Sequence, residues 1–254
     1  MNDAATPQGR FAALAREDSR GALVTVLEGP GLGSKLLVLP DGTRQGSLGS
    51  PEIDDEGARH AEELMWAERS EKRGPLFIDV TFPAPRLIIF GAIDFAAQLC
   101  TLARVSGWRP YVVDPRGFFA RPDRFPDAEE VVAAWPQEAF ERIGGVDRAT
   151  SIAVLTHDPK LDDAALLIAL RSDAAYIGAM GSRRAQQKRR DRLVAHGITD
   201  EELERLNAPI GLDLGALTPE ETALSIMSEI VAHRRGREGG RLAHVRGRIH
   251  EVVD

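Results

Sequence analysis

The sequence predicts an α/β protein with a doubly wound parallel sheet in its C-terminal part and a smaller mixed α/β domain before it. Residues 87–90 (LIIF) form a continuous apolar run, which is typical of a strand buried on both faces of a parallel sheet. From residue 86 onwards, strand-like runs alternate with helix-length segments. Residues 21–73 instead contain short β-rich runs separated by turns that are rich in glycine and proline.

The N-terminal elements are short. Residues 22–28 and 36–40 are strand candidates, and a helix is predicted from about residue 52 to residue 69. The stretch 74–85 is rich in proline and extended, which suits a linker or an edge strand that leads into the second domain, and we assign it to the linker. The predicted organisation is a tail at 1–20, a small domain at 21–73, the linker at 74–85, a larger domain at 86–236 and a tail at 237–254.

Strands and helices alternate through the larger domain. The strand candidates lie at 87–90, 111–113, 152–156 and 175–178, and helices are predicted over 94–106 and 162–170. Two later helices have recognisable starts, because Thr199 with Glu202 and Thr218 with Glu221 form capping-box patterns. This alternation predicts parallel strands joined by helices.

The composition and net charge of the chain argue against several classes of protein. The chain has 254 residues and a formal net charge of −7, which disfavours a nucleic-acid binder because such proteins carry a net basic face. Cys100 is the single cysteine, which excludes a disulfide framework, and the six histidines lack the spacing of a metal site. There is no signal-peptide pattern and no apolar run of membrane-spanning length. We therefore expect a soluble cytoplasmic protein without a metal site built from protein ligands.

The turns after the first two strands of the larger domain resemble a dinucleotide-binding arrangement. Gly91 begins the first turn, and Asp114 follows 23 positions later, close to the roughly 20 expected for an acid that binds a ribose hydroxyl. Ile93 and Ala96 stand where the second and third glycines of that fingerprint would lie, and Ile93 would extend into the diphosphate position. The pattern predicts a Rossmann-like fold and leaves NAD(P) binding possible but weakened.

Two further loops follow predicted strands at their carboxyl ends, where open α/β sheets place a ligand crevice. In the first, His157 could bind a ligand or transfer a proton, or His157 and Asp158 could simply shape the turn. The second contains Gly181, Ser182 and Arg183. A cation at a helix start is disfavoured by about 0.3–1 kcal/mol, which points to an anionic ligand for Arg183. The alternative is that Arg183 begins a solvated basic face.

The stretch 209–219 surrounds a lone acid with glycines and then enters the helix that begins at Thr218. Gly211 and Asp213 are its candidate binding residues, since such a loop can bring backbone amides near a ligand. The alternative is a buried structural crossover.

Three long motifs connect these loops to a known family. In chain order they are LTHDPKLD at 155–162, YIGAMGSRR at 176–184 and PIGLDLGALTPEETALSI at 209–226, and together they resemble the XdhC/CoxI family. The resemblance covers most of the chain, because residues 33–38 and 41–42 are similar to the family's first domain. Relatives commonly have a cysteine after the Gly-Ser pair of that domain, whereas residues 46–52 contain none here.

The resemblance implies an accessory protein of a molybdenum hydroxylase such as xanthine dehydrogenase or carbon monoxide dehydrogenase. Such a protein transiently binds molybdenum cofactor (molybdopterin) and assists its sulfuration or its insertion into the client enzyme, without catalytic residues of its own. The implied partners are the hydroxylase, a cysteine desulfurase and a second copy of the chain in a homodimer. The alternatives are an NAD(P)-dependent oxidoreductase and a protein adaptor that has lost its ligand.

The candidate pocket runs along the carboxyl ends of the predicted strands. Under the resemblance, Arg183 and the backbone amides near Ser182 would bind the phosphate of the pterin cofactor. The full set of candidate residues is Gly91, Asp114, His157, Asp158, Gly181, Ser182, Arg183, Gly211 and Asp213.

Overall fold

The computed structural model of the protein describes residues 6–245, which form two compact units divided between Ala84 and Pro85. Within this range, no helix is both long and apolar enough to cross a membrane. The larger unit contains a six-stranded parallel sheet and the smaller unit an antiparallel one, which confirms the predicted fold class.

The first unit is a five-stranded antiparallel sheet packed against helices, with the strand order β3-β2-β1-β5-β4. Alternate residues of β1, among them Ala22 and Val24, pack against Ala61 and Leu64 on one face of α2. Its elements are α1 (Pro7–Arg16), β1 (Gly21–Val26), β2 (Lys35–Val38), β3 (Arg44–Ser47), α2 (Pro51–Ala67), β4 (Glu71–Arg73) and β5 (Leu76–Thr81).

Two segments of the first unit differ from their expected roles. Helix α1 lies within the expected tail at 1–20, and its N-terminus is capped by Thr6, whose side chain accepts a hydrogen bond from the backbone of Gly9 (3.0 Å). Strand β5 lies within the stretch 74–85, which was expected to be a linker or an edge strand, and it is an interior strand that pairs with both β1 and β4. The prolines there are compatible with a strand because they flank β5 and remove none of its ladder hydrogen bonds.

The second unit is a six-stranded parallel sheet with the order β11-β10-β9-β6-β7-β8, which is the doubly wound arrangement. Both faces of β6 are buried, since Ile88 and Phe90 pack into one core cluster while Leu87 and Ile89 pack into another. The strands are β6 (Arg86–Phe90), β7 (Arg109–Val113), β8 (Glu130–Val132), β9 (Thr150–Val154), β10 (Tyr176–Ala179) and β11 (Leu206–Asn207).

The helices of the second unit cover the sheet, and both predicted capping boxes are present at the starts of α7 and α8. They are α3 (Asp94–Val105), α4 (Pro136–Arg142), α5 (Pro159–Ala169), α6 (Arg183–Ala195), α7 (Asp200–Glu204) and α8 (Pro219–Arg234). Of the expected tail at 237–254, Leu242–His244 form a short 3-10 helix, while residues 246–254 lie outside the described range, as do residues 1–5 of the N-terminal tail.

Candidate functional site

The strand register brings four of the predicted loops to one edge of the parallel sheet. Phe90 at the end of β6 pairs with Val113 of β7 and with Val154 of β9, and Val154 pairs with Ala179 of β10. The residues that follow these strands therefore begin level with one another. This edge carries Gly91, Asp114, His157, Asp158, Gly181, Ser182 and Arg183.

Asp114 is fully buried, and its carboxylate is occupied by the protein itself. Oδ1 accepts hydrogen bonds from Nε of Arg116 (2.8 Å) and from the Arg116 backbone (3.0 Å), and Oδ2 accepts from Nη2 of Arg116 (2.7 Å) and from the backbone of Ala92 (3.0 Å). Burial acts to raise the pKa of Asp114, but these hydrogen bonds outweigh it and hold the pKa below its usual range. Through its hydrogen bond with the backbone of Ala92, Asp114 therefore connects the end of β7 with the turn after β6.

We expect NAD and NADP to bind weakly or not at all. A ribose diol would have to displace the Arg116 fork from Asp114, and a charged hydrogen bond of this kind contributes about 1.5–3 kcal/mol. Calorimetric titration with each nucleotide checks this. Micromolar binding that disappears in Asp114→Ala would show that the ribose does reach the carboxylate.

Gly91 packs closely against the loop after β9. Its φ is +112°, and a Cβ at this position would lie 2.5 Å from Cγ2 of Thr156 and 3.2 Å from the Thr156 backbone nitrogen. Glycine is therefore required for close packing of the turn after β6 against the loop after β9. Ile93, expected to extend toward a diphosphate, is half-buried and packs against the core beside α3.

In the loop after β9, Asp158 shapes the turn, whereas His157 is exposed to solvent. Asp158 is the N-cap of α5, where its side chain accepts a hydrogen bond from the backbone of Lys160 (3.0 Å). His157 is exposed on this turn. The turn-shaping alternative therefore describes Asp158, while His157 stays a candidate for ligand contact.

A buried ion pair between Asp162 and Arg189 supports this edge of the sheet, and neither residue is among the nine candidates. Asp162 on α5 and Arg189 on α6 have side chains only 3% and 4% exposed, and Oδ2 of Asp162 lies 2.8 Å from Nη2 of Arg189. Arg189 also donates to the carbonyl of Met180 (3.0 Å), and Asp162 accepts from the hydroxyl of Thr156. The pair therefore links the loops after β9 and β10.

The sequence did contain a signal for this pair. Asp162 lies on the apolar stripe of α5 beside Leu161, Ala165 and Leu166, and Arg189 precedes the buried Leu193 by one helical turn. A charged residue on the buried face of each of two helices indicates a buried pair.

The loop after β10 supplies both a helix cap and an available cation. The hydroxyl of Ser182 accepts a hydrogen bond from the backbone of Ala185 (3.3 Å), which makes Ser182 the N-cap of α6. Gly181 has a φ of +135° and lies against Ala185 and Gln186. Arg183 is exposed, and no residue between 6 and 245 forms an ion pair with it.

The loop before α8 is fixed at one end by a buried network. The backbone of Gly211 donates to Oε2 of Glu229 (2.8 Å), which also accepts from the Tyr176 hydroxyl. A Cβ on Gly211 would lie 2.5 Å from Oγ of Ser225. Burial, followed by the contact with Glu229, raises the pKa of Tyr176. Gly211 therefore has a packing role, whereas Asp213 is exposed on the same loop.

Two grooves of the second unit differ in the charge that they offer a ligand. The groove beside α6 has a volume of about 270 Å³ and is lined by Arg183, Gln186, Gln187, Arg190, Leu203, Leu206, Ala208 and Pro209. The groove between α3 and α8 has a volume of about 310 Å³ and contains Glu220 and Glu221 without a cation. An anionic ligand therefore fits the groove beside α6. Of the nine candidate residues, Arg183 lines it.

The fold and the site define a class of Rossmann-type protein in which the acid at the end of the second strand, Asp114, is hydrogen-bonded to the chain's own Arg116. The chain belongs to the XdhC/CoxI family: residues 87–230 match the XdhC Rossmann domain, and residues 14–74 match the XdhC and CoxI family.

Similarity to individual proteins agrees with this membership. A protein from Bacillus subtilis (strain 168), named as a probable xanthine dehydrogenase subunit, is 29% identical over 160 residues, which is 63% of this chain and 46% of the relative. The molybdenum cofactor insertion chaperone PaoD from Escherichia coli (strain K12) is 26% identical over 156 residues, which is 61% of this chain and 42% of that protein. Each match thus covers less than half of the curated relative.

A solved structure is similar across both units. It is a crystal structure named as a xanthine dehydrogenase from Bacillus halodurans, with a TM-score of 0.64 and 25% sequence identity. The similarity covers 91% of this chain and 67% of that chain.

Proposed function

We propose that this protein is a maturation factor that binds molybdenum cofactor and assists its sulfuration or its insertion into a molybdenum hydroxylase of the xanthine dehydrogenase or carbon monoxide dehydrogenase type. Membership of the XdhC/CoxI family supports the class of client, and similarity to PaoD supports the cofactor as cargo. The structural observation that carries the proposal is the groove beside α6, which combines an available arginine with an apolar wall.

The chemistry of the groove fits a phosphorylated heterocycle. The guanidinium of Arg183 supplies a cation for the phosphate, while Leu203, Leu206 and Pro209 supply apolar surface for a flat ring system. The volume of about 270 Å³ is close to the lower end of the roughly 300–1,000 Å³ found for small-molecule pockets. The groove would therefore hold a pterin and its phosphate through Arg183 and the apolar wall.

Arg183→Ala is expected to weaken cofactor binding by about 10-fold to 100-fold, because one charged hydrogen bond contributes about 1.5–3 kcal/mol. Anaerobic fluorescence titration with isolated molybdenum cofactor measures the change. Arg184→Ala is the matched control, since Arg184 is the next residue on α6 and is exposed outside the groove. Equal losses in the two variants would mean that general positive charge, and not this groove, attracts the cofactor.

Deletion of the gene in its host tests the biological role. We expect the host's molybdenum hydroxylase to lose activity, with reduced molybdenum or terminal sulfur content, and complementation with the intact gene to restore it. A fully active and fully sulfurated hydroxylase in the deletion strain would refute the maturation role and favour an adaptor function. A cysteine desulfurase partner, a homodimer and a cytoplasmic location stay predictions.

A further inference from the structure

Helix α8 and its C-cap present an outer face with an apolar centre and a charge at each end. Leu224 and Val231, in the centre, are 50% and 39% exposed. Residues on this face follow one another at spacings of three or four, which places their side chains on one side of a helix. They are Glu220, Leu224, Ser228, Val231 and Arg235.

The two charges of this face are available to a partner. Glu220 and Arg235 are exposed, and neither side chain forms an ion pair or a hydrogen bond between residues 6 and 245. Each charge suits the end of the helix at which it lies, because an acid is favoured at the start of the helix dipole and a base at its end. The dipole does not account for the two exposed aliphatic side chains between them.

The face is complementary to itself under a two-fold rotation. The midpoint between Glu220 and Arg235 falls just before Ser228, and the midpoint between Leu224 and Val231 falls at the same place. An antiparallel pair of α8 helices centred there sets Glu220 opposite the second copy's Arg235. It also sets Leu224 opposite the second copy's Val231, and each contact occurs twice. A two-fold dimer requires a surface that is self-complementary in this way.

The surroundings of α8 have room for a second helix. The groove of about 310 Å³ between α3 and α8 is lined by Leu102, Leu224 and the first-turn acids of α8, among other residues. The second copy's Val231 would lie beside Leu224 at this groove, and its Arg235 would supply the cation that the acids lack among residues 6–245. Ser228 is small and half-buried at the crossing point, which allows the helix axes to approach to about 8–10 Å.

We propose that this protein forms a two-fold symmetric homodimer through the outer face of α8, with the two α8 helices antiparallel. The proposal does not depend on the proposed function. Helix α8 packs into the core cluster on one side of the parallel sheet, whereas Leu203 and Leu206 of the groove beside α6 belong to the cluster on the other side. A second copy is the partner because the face supplies its own matching order of acid, apolar centre and base.

Charge reversal tests the pairing by sedimentation velocity of the full chain at increasing concentration, with a monomer–dimer equilibrium expected for the wild type. Glu220→Arg and Arg235→Glu should each weaken the dimer about 10-fold, because each variant turns two attractive contacts into repulsive ones. The double variant Glu220→Arg/Arg235→Glu should recover wild-type dimerisation, since opposite charges face each other again. Glu201→Arg is the matched control, because Glu201 is exposed and is also the second residue of its helix, α7.

Truncation of the apolar centre is a second test in the same assay. Leu224→Ser should weaken the dimer about 30-fold, because the two-fold symmetry removes two leucine side chains from one interface. Val194→Ser is its control, since Val194 is 48% exposed on α6, which lies on the other side of the sheet. Both serine variants should keep the melting temperature of the wild type, because the truncated side chains are largely exposed.

Several outcomes would overturn the homodimer. A wild type that stays monomeric at every concentration would do so, as would a dimer that neither Leu224→Ser nor the single charge reversals weaken. A double variant that dimerises no better than the single ones would refute the antiparallel pairing. A monomeric wild type whose binding to a host hydroxylase is lost in Leu224→Ser would refute the homodimer and assign the face to the hydroxylase.

Discussion

Arg189→Met is expected to lower the free energy of unfolding by about 3–5 kcal/mol at pH 7, because it leaves the buried carboxylate of Asp162 without its cation. Urea denaturation measures the loss. Arg190→Met is the matched control on the same helix, since Arg190 pairs with Asp200 at 2.6 Å on the surface, where such pairs contribute about 0–1 kcal/mol. Similar losses in the two variants would contradict the role assigned to burial.

The loss in Arg189→Met should also depend on pH. Burial raises the pKa of Asp162 from its ordinary value of 3.8, even with Arg189 beside it. A carboxyl group with a raised pKa in the folded state favours folding below its unfolded pKa, and this contribution disappears as pH rises through the folded value. Removing Arg189 raises the folded pKa further, so the penalty should grow between pH 4 and pH 7. Asp162→Asn in the Arg189→Met background should recover part of the loss at pH 7 and little near pH 4.

Gly91→Ala is expected to destabilise the protein by about 3–5 kcal/mol. A backbone conformation that only glycine adopts readily contributes about 1–3 kcal/mol, and the contact of the new Cβ with Thr156 adds a comparable amount. Thermal and urea denaturation measure the change. The loops after β6 and β9 would have to separate to accommodate the new Cβ.

Gly107→Ala separates the two contributions. Gly107 also has a positive φ, +80°, but no heavy atom lies within 4 Å of the position that its Cβ would occupy. This variant should therefore lose only about 1–2 kcal/mol. If both alanine variants lost the same free energy of unfolding, the contact between a Cβ at position 91 and Thr156 would contribute nothing to the destabilisation.

Much of the fold could be predicted because its signals are local. The apolar run at 87–90 predicted β6, and the capping boxes at Thr199 and Thr218 predicted the starts of α7 and α8. The stretch that contains β5 was expected to be a linker or an edge strand because it is rich in proline, but proline is a weak guide at strand ends, where a missing backbone N–H costs nothing. Pairing on both edges, which makes β5 a strand, is a long-range property.

The site was harder to predict because its main contacts join residues that are far apart in the sequence, or depend on which of several groups binds one carboxylate. Asp114 was correctly placed at the end of β7, but the spacing could not show that Arg116, two residues later, takes both carboxylate oxygens. The link from Thr156 through Asp162 to Arg189 connects a loop and two helices. In the same way, the sequence identified Gly211 as unusual but did not reveal its partner Glu229.

Under the proposed function, the protein must be as well folded after it hands over its cargo as before. Because Arg116 and Ala92 satisfy Asp114 from within the chain, departure of a ligand strips no buried carboxylate of its hydrogen bonds. Cargo then raises stability only through the ordinary linkage of binding to folding, about 2.7 kcal/mol at a free cargo concentration of a hundred times Kd. Under the same proposal, a client that takes the cofactor has to exceed only the binding affinity of this protein and does not have to offset any unfolding of it.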